Sequence, residues 1–201
     1  FHLILIAKNE TGYKNLMYLS SMSYIEGFYY YPRINKKILK EHSEGLVCSS
    51  ACLQGEVSWH LNLSERNVKF GAKGYERAKE VALEYKEIFG DDFYLEIMRH
   101  GIGDQRRIDD DILRIAKETG IKVIATNDTH YTFKERAAAH EVFMCIAMNK
   151  TLDDPNRLRH SVHEFFVKSK EQMNELFLDI PEVIENTQEI VNKCNLEIKL
   201  G

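Results

Sequence analysis

The stretch Lys122-Val123-Ile124-Ala125-Thr126-Asn127-Asp128-Thr129-His130-Tyr131 is an apolar run that stops in a polar cluster. An apolar run of this length, after a glycine and before a helical pattern, is typical of a strand buried on both faces. In extended chain, residues two apart face the same side, so Asp128 and His130 can converge on one point. Parallel α/β folds place their chemistry just past the carboxyl ends of strands. The alternative is an Asp helix cap beside a hydrogen-bonded His.

The composition predicts a well-packed globular chain rather than a disordered or membrane protein. Of its 201 residues, 44% are apolar and 29% are charged, and three are proline. The formal net charge of −4 argues against a domain that clamps nucleic acid over its whole surface. The four cysteines form no CxxC pair, which favours a reducing, cytoplasmic setting. The chain begins with Phe1-His2 and ends abruptly at Gly201, so we expect a domain cut from a longer protein.

Strand and helix patterns alternate along the chain, which predicts a parallel α/β architecture. The predicted strands cover residues 3–7, 46–50, 93–98 and 121–126. The predicted helices cover residues 13–24, 36–42, 54–61, 72–88, 104–119, 134–148, 170–177 and 181–194, with a capping box at Ser169 and Gln172. Four strands are too few to close a barrel with a packed interior. The pattern therefore fits a small open sheet and part of a barrel equally well.

Cys52 follows the second predicted strand as Asp128 and His130 follow the fourth. A thiolate, an imidazole and a carboxylate in one cleft favour zinc, whereas further His and carboxylate ligands would favour manganese or iron. For Cys52 alone, the alternative is a small buried apolar residue. Cys–His catalysis is a weaker option, because nothing marks Cys52 as activated.

Two other stretches could contact a phosphate. The third strand ends in Glu96-Ile97-Met98-Arg99-His100, where Arg99 or His100 could hold one; the alternative is an ordinary strand-end Glu with a solvated His. The loop Phe28-Tyr29-Tyr30-Tyr31-Pro32-Arg33 could stack a base and pair a phosphate through Arg33, or could simply be anchored by its tyrosines. The remaining histidines have no ligand spacing and are interpreted as structural or solvated: His42, His60, His140, His160 and His163.

Several motifs, in order, resemble the PHP (polymerase and histidinol phosphatase) domain of bacterial DNA polymerase III alpha subunits. They include His2-Leu-Ile-Leu-Ile-Ala-Lys-Asn-Glu-Thr-Gly-Tyr-Lys-Asn-Leu16, Ala51-Cys-Leu-Gln-Gly-Glu56, Phe93-Tyr-Leu-Glu-Ile-Met-Arg-His-Gly101, Ala125-Thr-Asn-Asp-Thr-His-Tyr131 and Thr151-Leu-Asp-Asp-Pro-Asn-Arg157. The resemblance implies part of a distorted (β/α)7 barrel, with parallel strands, surrounding helices and a metal cluster at the carboxyl strand ends. Residues 1–150 would be the C-terminal portion of this barrel. Residues 151–201 would lead toward the polymerase palm domain.

The resemblance also implies a set of metal ligands. The later ligands of the family map onto His2, Cys52, Asp128 and His130, and the earlier ones, including a His-x-His motif, would precede Phe1. Residues 1–201 alone are therefore expected to bind metal weakly. The implied cofactors are Zn, Mn or Fe at this site and Mg for the parent polymerase, with Arg33 and His100 as candidate phosphate contacts.

The implied function is that of a segment of a DNA-directed DNA polymerase in chromosomal replication, with the polymerase's catalytic aspartates beyond Gly201. The PHP site itself would hydrolyse phosphodiesters with metals, as a 3′–5′ exonuclease does. One alternative is a structural module without hydrolytic activity that steadies the polymerase and docks the proofreading exonuclease subunit. Another is a separate phosphatase for a small phosphate ester, which the polymerase-like stretch after Thr151 disfavours. The implied partners are DNA, the rest of the alpha subunit and the proofreading subunit.

Overall fold

Four strands and nine helices make up residues 1–198, the part of the chain that the computed structural model describes. The strands are β1 (Ile4–Ala7), β2 (Leu46–Ser49), β3 (Phe93–Met98) and β4 (Lys122–Thr126). The helices are α1 (Glu10–Ile25), α2 (Lys36–Glu41), α3 (Glu56–Leu61), α4 (Glu65–Lys69), α5 (Tyr75–Phe89), α6 (Gly103–Thr119), α7 (Ala137–Ala147), α8 (Lys170–Leu176) and α9 (Glu182–Lys193).

The predicted elements are confirmed, with differences of a few residues at their ends. The strand over 93–98 is found as predicted, and Ser169 and Gln172 form the predicted capping box of α8. The one helix that the sequence pattern did not indicate is α4, a single turn capped by the Ser64 side chain. It was missed because five residues are too few to show a helical period.

The sheet follows the order of the chain, β1-β2-β3-β4. Strands that neighbour each other in chain order are also the arrangement of a barrel wall. The main core lies between this sheet and two helices, because the helix-facing side chains of β2, β3 and β4 pack with those of α5 and α6. These residues are Leu46, Cys48, Phe93, Leu95, Ile97, Val123 and Ala125 from the strands, with Ala78, Val81, Ala82, Ile108, Ile112 and Ile115 from the helices.

The direction of β1 differs from the prediction of parallel strands. β2, β3 and β4 are parallel, but β1 is antiparallel to β2, with Ile4 opposite Ser49 and Ala7 opposite Leu46. The connection explains the difference, because two helices, α1 and α2, separate these strands. The chain leaves along α1 and returns along α2, so that His42 stacks on Tyr18 of α1. It therefore re-enters the sheet beside the point where it left.

A close backbone contact fixes this return. A side chain at Gly12 would place its Cβ 1.9 Å from the carbonyl oxygen of Gly45, and Gly45 itself has a φ of +73°. The Asn9 side chain caps α1 at the same point by accepting a hydrogen bond from the Gly12 N–H at 3.0 Å. The start of α1 thus lies directly against the start of β2, and any Cβ at Gly12 would separate them.

The second face of the sheet is covered by α9, whose Ile190 packs on Val47, Tyr94 and Ile124. This helix also bonds to the outer edge of β4. The Asn186 side-chain amide donates to the Val123 carbonyl at 2.8 Å. The single proton of the Thr187 hydroxyl is shared between the Val183 carbonyl of its own helix at 3.0 Å and the Ala125 carbonyl at 3.3 Å. The last helix therefore packs on the same sheet as the earlier elements. The division into a barrel portion up to residue 150 and a junction after it stays a prediction. Within residues 1–198, no helix is long and apolar enough to cross a bilayer.

Substituting Gly12→Ala should destabilise the fold, because the new methyl group can fit only if α1 moves away from Gly45. We expect the free energy of unfolding to fall by about 2 kcal/mol or more, as measured by urea denaturation. The matched control is Gly103→Ala at the first position of α6, where a Cβ meets nothing within 4 Å. That change should be neutral or stabilise by up to about 1 kcal/mol. Equal stabilities of the two variants would contradict the close contact.

The carboxylate of Glu189 should contribute stability that acid removes. It lies 3.1 Å from the Tyr94 hydroxyl and pairs with Lys122 and Lys193, and these contacts lower its pKa to about 2. A lowered folded-state pKa stabilises above the unfolded value of about 4.3 and is lost as the pH falls toward 2. Glu189→Gln should therefore cost about 1 kcal/mol or less at pH 7, since the pairs are partly exposed. Denaturation at pH 7 and pH 2.5 should show this difference shrinking; a constant difference would contradict it.

Candidate metal site

The predicted site lies at the carboxyl edge of the parallel strands. β2 ends at Ser49 and the chain turns through Ala51, a non-glycine residue with a φ of +60°. Such a backbone costs on the order of 1–3 kcal/mol and persists where surrounding contacts hold it. Gly55 makes part of that contact, since a Cβ there would lie 1.9 Å from the Ser50 carbonyl oxygen. The turn presents Cys52 at the edge of the sheet.

His2 reaches this edge because β1 is antiparallel to β2. The residue precedes its strand, and in a parallel strand it would lie at the opposite end of the sheet from Cys52. Instead the His2 N–H donates to the Gln54 carbonyl at 2.9 Å, and His2 forms a single bridge with Gly55. The sequence alone gave no reason for a residue ahead of a strand to share a site with residues behind one.

His2 and Cys52 form the first candidate ligand pair, with Nδ1 and Sγ 3.7 Å apart. Two such ligands on one tetrahedral zinc, at bond lengths of about 2.05 and 2.3 Å, would be about 3.6 Å apart. Burial raises the pKa of the Cys52 thiol, and the carboxylates of Asp128 and Glu96 raise it further. Cys52 is therefore not activated as a nucleophile by its surroundings, and its thiolate needs a nearby cation.

Asp128 and His130 form the second pair, with Oδ1 3.2 Å from Nε2. The segment that carries them is anchored along its backbone. The His130 N–H donates to the Phe165 carbonyl at 2.8 Å, and the Asn127 side-chain amide donates to the Phe166 carbonyl at 2.7 Å. Both pairs lie at the predicted edge, but among the described residues no three of the four predicted ligands have their ligand atoms within 4.8 Å of one another.

His100 does not have the surroundings expected of a phosphate contact. It is 1% exposed, its Nε2 accepts a hydrogen bond from the Asp128 N–H at 3.1 Å, and its Nδ1 lies 3.0 Å from the Gln105 amide nitrogen. Burial lowers the pKa of His100, which keeps the ring neutral near pH 7. The geometry therefore favours a positioning role, in which His100 holds the backbone of Asp128.

Glu96 lies on the same face of β3 and is also buried. Its carboxylate accepts hydrogen bonds from the hydroxyls of Ser49 on β2 and Thr126 on β4, and the Glu96 N–H donates to the Ser50 hydroxyl at 2.9 Å. These contacts tie together the last residues of three parallel strands. They place a satisfied carboxylate beside the candidate ligands.

Arg33 lies in the exposed loop between α1 and α2, with its guanidinium carbon 4.9 Å from the centre of the Tyr29 ring. Among residues 1–198, no ion pair joins the Arg33 side chain to either candidate ligand pair. Its role in phosphate binding stays a prediction.

A cluster that the sequence did not indicate lies beside Asp128. His130, His140 and His160 each offer a ring nitrogen, and the three nitrogens lie within 4.8 Å of one another. His140 is on α7 and His160 is in the following loop, so their separation in sequence shows no ligand spacing. The only sequence signal is that four of the eight histidines fall within residues 130–163.

Comparison with known proteins gives the family. Residues 1–100 match the family model described as "PHP domain". Over its whole length the chain is 78% identical to a DNA polymerase III subunit alpha of Campylobacter jejuni and 67% identical to one of Helicobacter pylori. Both matches cover 100% of this chain and 17% of the relative.

The similarity extends to more distant bacteria. The DNA polymerase III subunit alpha of Thermus aquaticus is 40% identical, over 100% of this chain and 16% of the relative. The chain thus spans about a sixth of the length of these curated relatives. Residues 1–100 therefore belong to the PHP domain family, and the chain is similar from end to end to a segment of DNA polymerase III subunit alpha.

Proposed function

We propose that this chain acts as part of a bacterial replicative DNA polymerase. The observation that supports this is identity of 78% and 67% to two subunits named DNA polymerase III subunit alpha, over the entire chain. In this proposal the DNA-directed polymerase chemistry, with its Mg²⁺, belongs to parts of the protein outside these residues. Its substrates and partners would be DNA and the rest of the alpha subunit, during chromosomal replication.

For the segment itself, we propose a metal-dependent phosphoesterase site of the 3′–5′ exonuclease type, held by His2, Cys52, Asp128 and His130. The single observation that supports it most is the separation within the two ligand pairs, 3.7 Å for His2–Cys52 and 3.2 Å for Asp128–His130. Nitrogen, oxygen and sulfur ligands that share a tetrahedral ion are about 3.3–3.6 Å apart, so one pair is slightly wider and the other slightly closer than ligands around a bound ion. The donor set fits zinc, with manganese or iron as the alternatives.

The residues around such a site would have different roles. A bound divalent ion would supply charge neutralisation for the phosphate and would lower the pKa of a bound water. His100 keeps Asp128 in place through its backbone, and the Ser49–Glu96–Thr126 contacts keep the three strand ends together. Arg33 is the proposed phosphate contact, because its guanidinium is exposed and oriented by Tyr29.

A second candidate function is the structural module, which would steady the polymerase and dock the proofreading subunit without hydrolysis. The observation in its favour is that Asp128 Oδ1 and His130 Nε2 already lie 3.2 Å apart, in contact with each other and with no ion between them. Metal content and hydrolysis separate the two functions.

Metal analysis of purified protein containing residues 1–201 tests the ligand set. We expect Cys52→Ala and Asp128→Ala each to lower the affinity for zinc, manganese or iron by at least about tenfold, because each substitution removes a charged ligand. Cys194→Ala is the matched cysteine control, since this half-buried thiol lies at the end of α9. Metal affinity that is unchanged in both site variants, measured with His160→Gln so that the neighbouring histidine cluster is incomplete, would reject the site.

Hydrolysis of a phosphodiester tests the activity. With bis(4-nitrophenyl) phosphate as substrate, removing metal with a chelator should abolish turnover, and Asp128→Ala should lower kcat by about 100-fold or more. His42→Ala is the control, because this histidine stacks on Tyr18 away from the site. A metal-loaded protein without turnover would instead support the structural module.

A further inference from the structure

The cluster of His130, His140 and His160 is built unlike a solvated group of histidines. The ring centres are 5.0 Å apart for His130–His160, 5.5 Å for His140–His160 and 5.6 Å for His130–His140. The Phe165 ring lies beneath two of them, 4.3 Å from His160 and 5.4 Å from His130. Phe165 is itself 5% exposed, so one side of the cluster packs against a buried apolar ring.

Two nitrogens of this cluster are buried without a partner. His140 Nδ1 and His160 Nε2 have no exposed surface and no hydrogen bond to any atom of residues 1–198. A buried polar atom left unsatisfied costs about 1–3 kcal/mol. Packing alone therefore does not account for three imidazoles in this arrangement, whereas a ligand that accepts their lone pairs would.

The chemistry of the ligand follows from the donors. Imidazole nitrogens are ligands for zinc and other borderline divalent cations, and three histidines with one open position are a known zinc arrangement. Histidine ligands commonly give their other ring nitrogen to a carboxylate. Asp128 stands in that position, 3.2 Å from His130 Nε2. Three nitrogens within 4.8 Å need to draw in to about 3.4 Å around a tetrahedral zinc ion.

The backbone supports such a centre from three separate elements. His130 is fixed by its N–H bond to the Phe165 carbonyl at 2.8 Å. His140 is on α7, and the neighbouring Glu141 on the same helix pairs with Arg157 at 3.0 Å, which ties the helix to the loop that carries His160.

We propose that His130, His140 and His160 form a three-histidine site for zinc or a similar divalent cation, with Asp128 orienting His130. This site shares His130 and Asp128 with the proposed phosphoesterase site, but it needs neither His2 nor Cys52. All three of its histidines lie among the described residues.

Cobalt(II) titration of purified protein containing residues 1–201 tests the proposal in a His2→Ala/Cys52→Ala background, which removes the other ligand pair. We expect visible absorption bands of four-coordinate cobalt without the thiolate-to-cobalt band near the ultraviolet, and a melting temperature that rises with added zinc. Adding His140→Gln or His160→Gln should weaken cobalt binding at least about tenfold and remove the thermal shift. His163→Ala, in the same loop, should change neither.

Melting curves without metal show whether the glutamine variants are folded, so loss of binding can be assigned to the ligand. Binding in the background protein that survives both glutamine substitutions would overturn the proposal. The proposal would also be overturned if the unsubstituted protein binds cobalt and the His2→Ala/Cys52→Ala protein does not. In that case the proposed phosphoesterase site would stand. Absent hydrolysis with intact three-histidine binding would remove only the proposed hydrolytic function.

Discussion

The contact between the Gly12 and Gly45 backbones determines the geometry of the whole carboxyl edge. It allows α1 to begin against β2, and the helical excursion of α1 and α2 then returns the chain to the same end of the sheet. β1 is antiparallel as a result, and its first residues lie where β2 ends. Without that reversal, His2 and Cys52 would be separated by the length of a strand.

The carboxyl edge combines rigid and adaptable parts. Glu96 ties three strand ends together through two hydroxyl groups, and His100 is buried beneath the Asp128 backbone. The candidate ligands stand above this layer on turns and are partly exposed. Such a division suits metal binding, because ligands can close on an ion while the layer beneath them keeps its hydrogen bonds.

Much of this fold is predictable from sequence, because its elements carry strong local signals. The spacing of apolar residues and the turns beside them predict the strand Phe93–Met98 and the helix Gly103–Thr119. The capping box of Ser169 and Gln172 predicts the start of α8. The direction of β1 is different, because a short apolar run does not indicate strand direction, and the packing of the chain after α2 against α1 decides where it returns to the sheet. The burial of His100 was likewise hidden, because it depends on Gln105 and Asp128 from two other segments.

The candidate site was predictable only in part, for the same reason. Cys52, Asp128 and His130 each follow a strand, so strand order brings them to one edge. His140 and His160 reach His130 from a helix and a loop, and no spacing rule links those positions. Their proximity arises from packing around Phe165, which is a property of the folded chain.

The hydrogen bonds from α9 to β4 leave one edge of the sheet for pairing with a further strand. Asn186 occupies a carbonyl group that another strand would need, and the chain beyond β4 is paired at Tyr131 with Phe166. At the opposite side, β1 is the last strand of the sheet in residues 1–198 and has a strand neighbour on one side only. Any additional strand would therefore join at β1, whether it completes a barrel wall or comes from a second molecule as an unwanted partner.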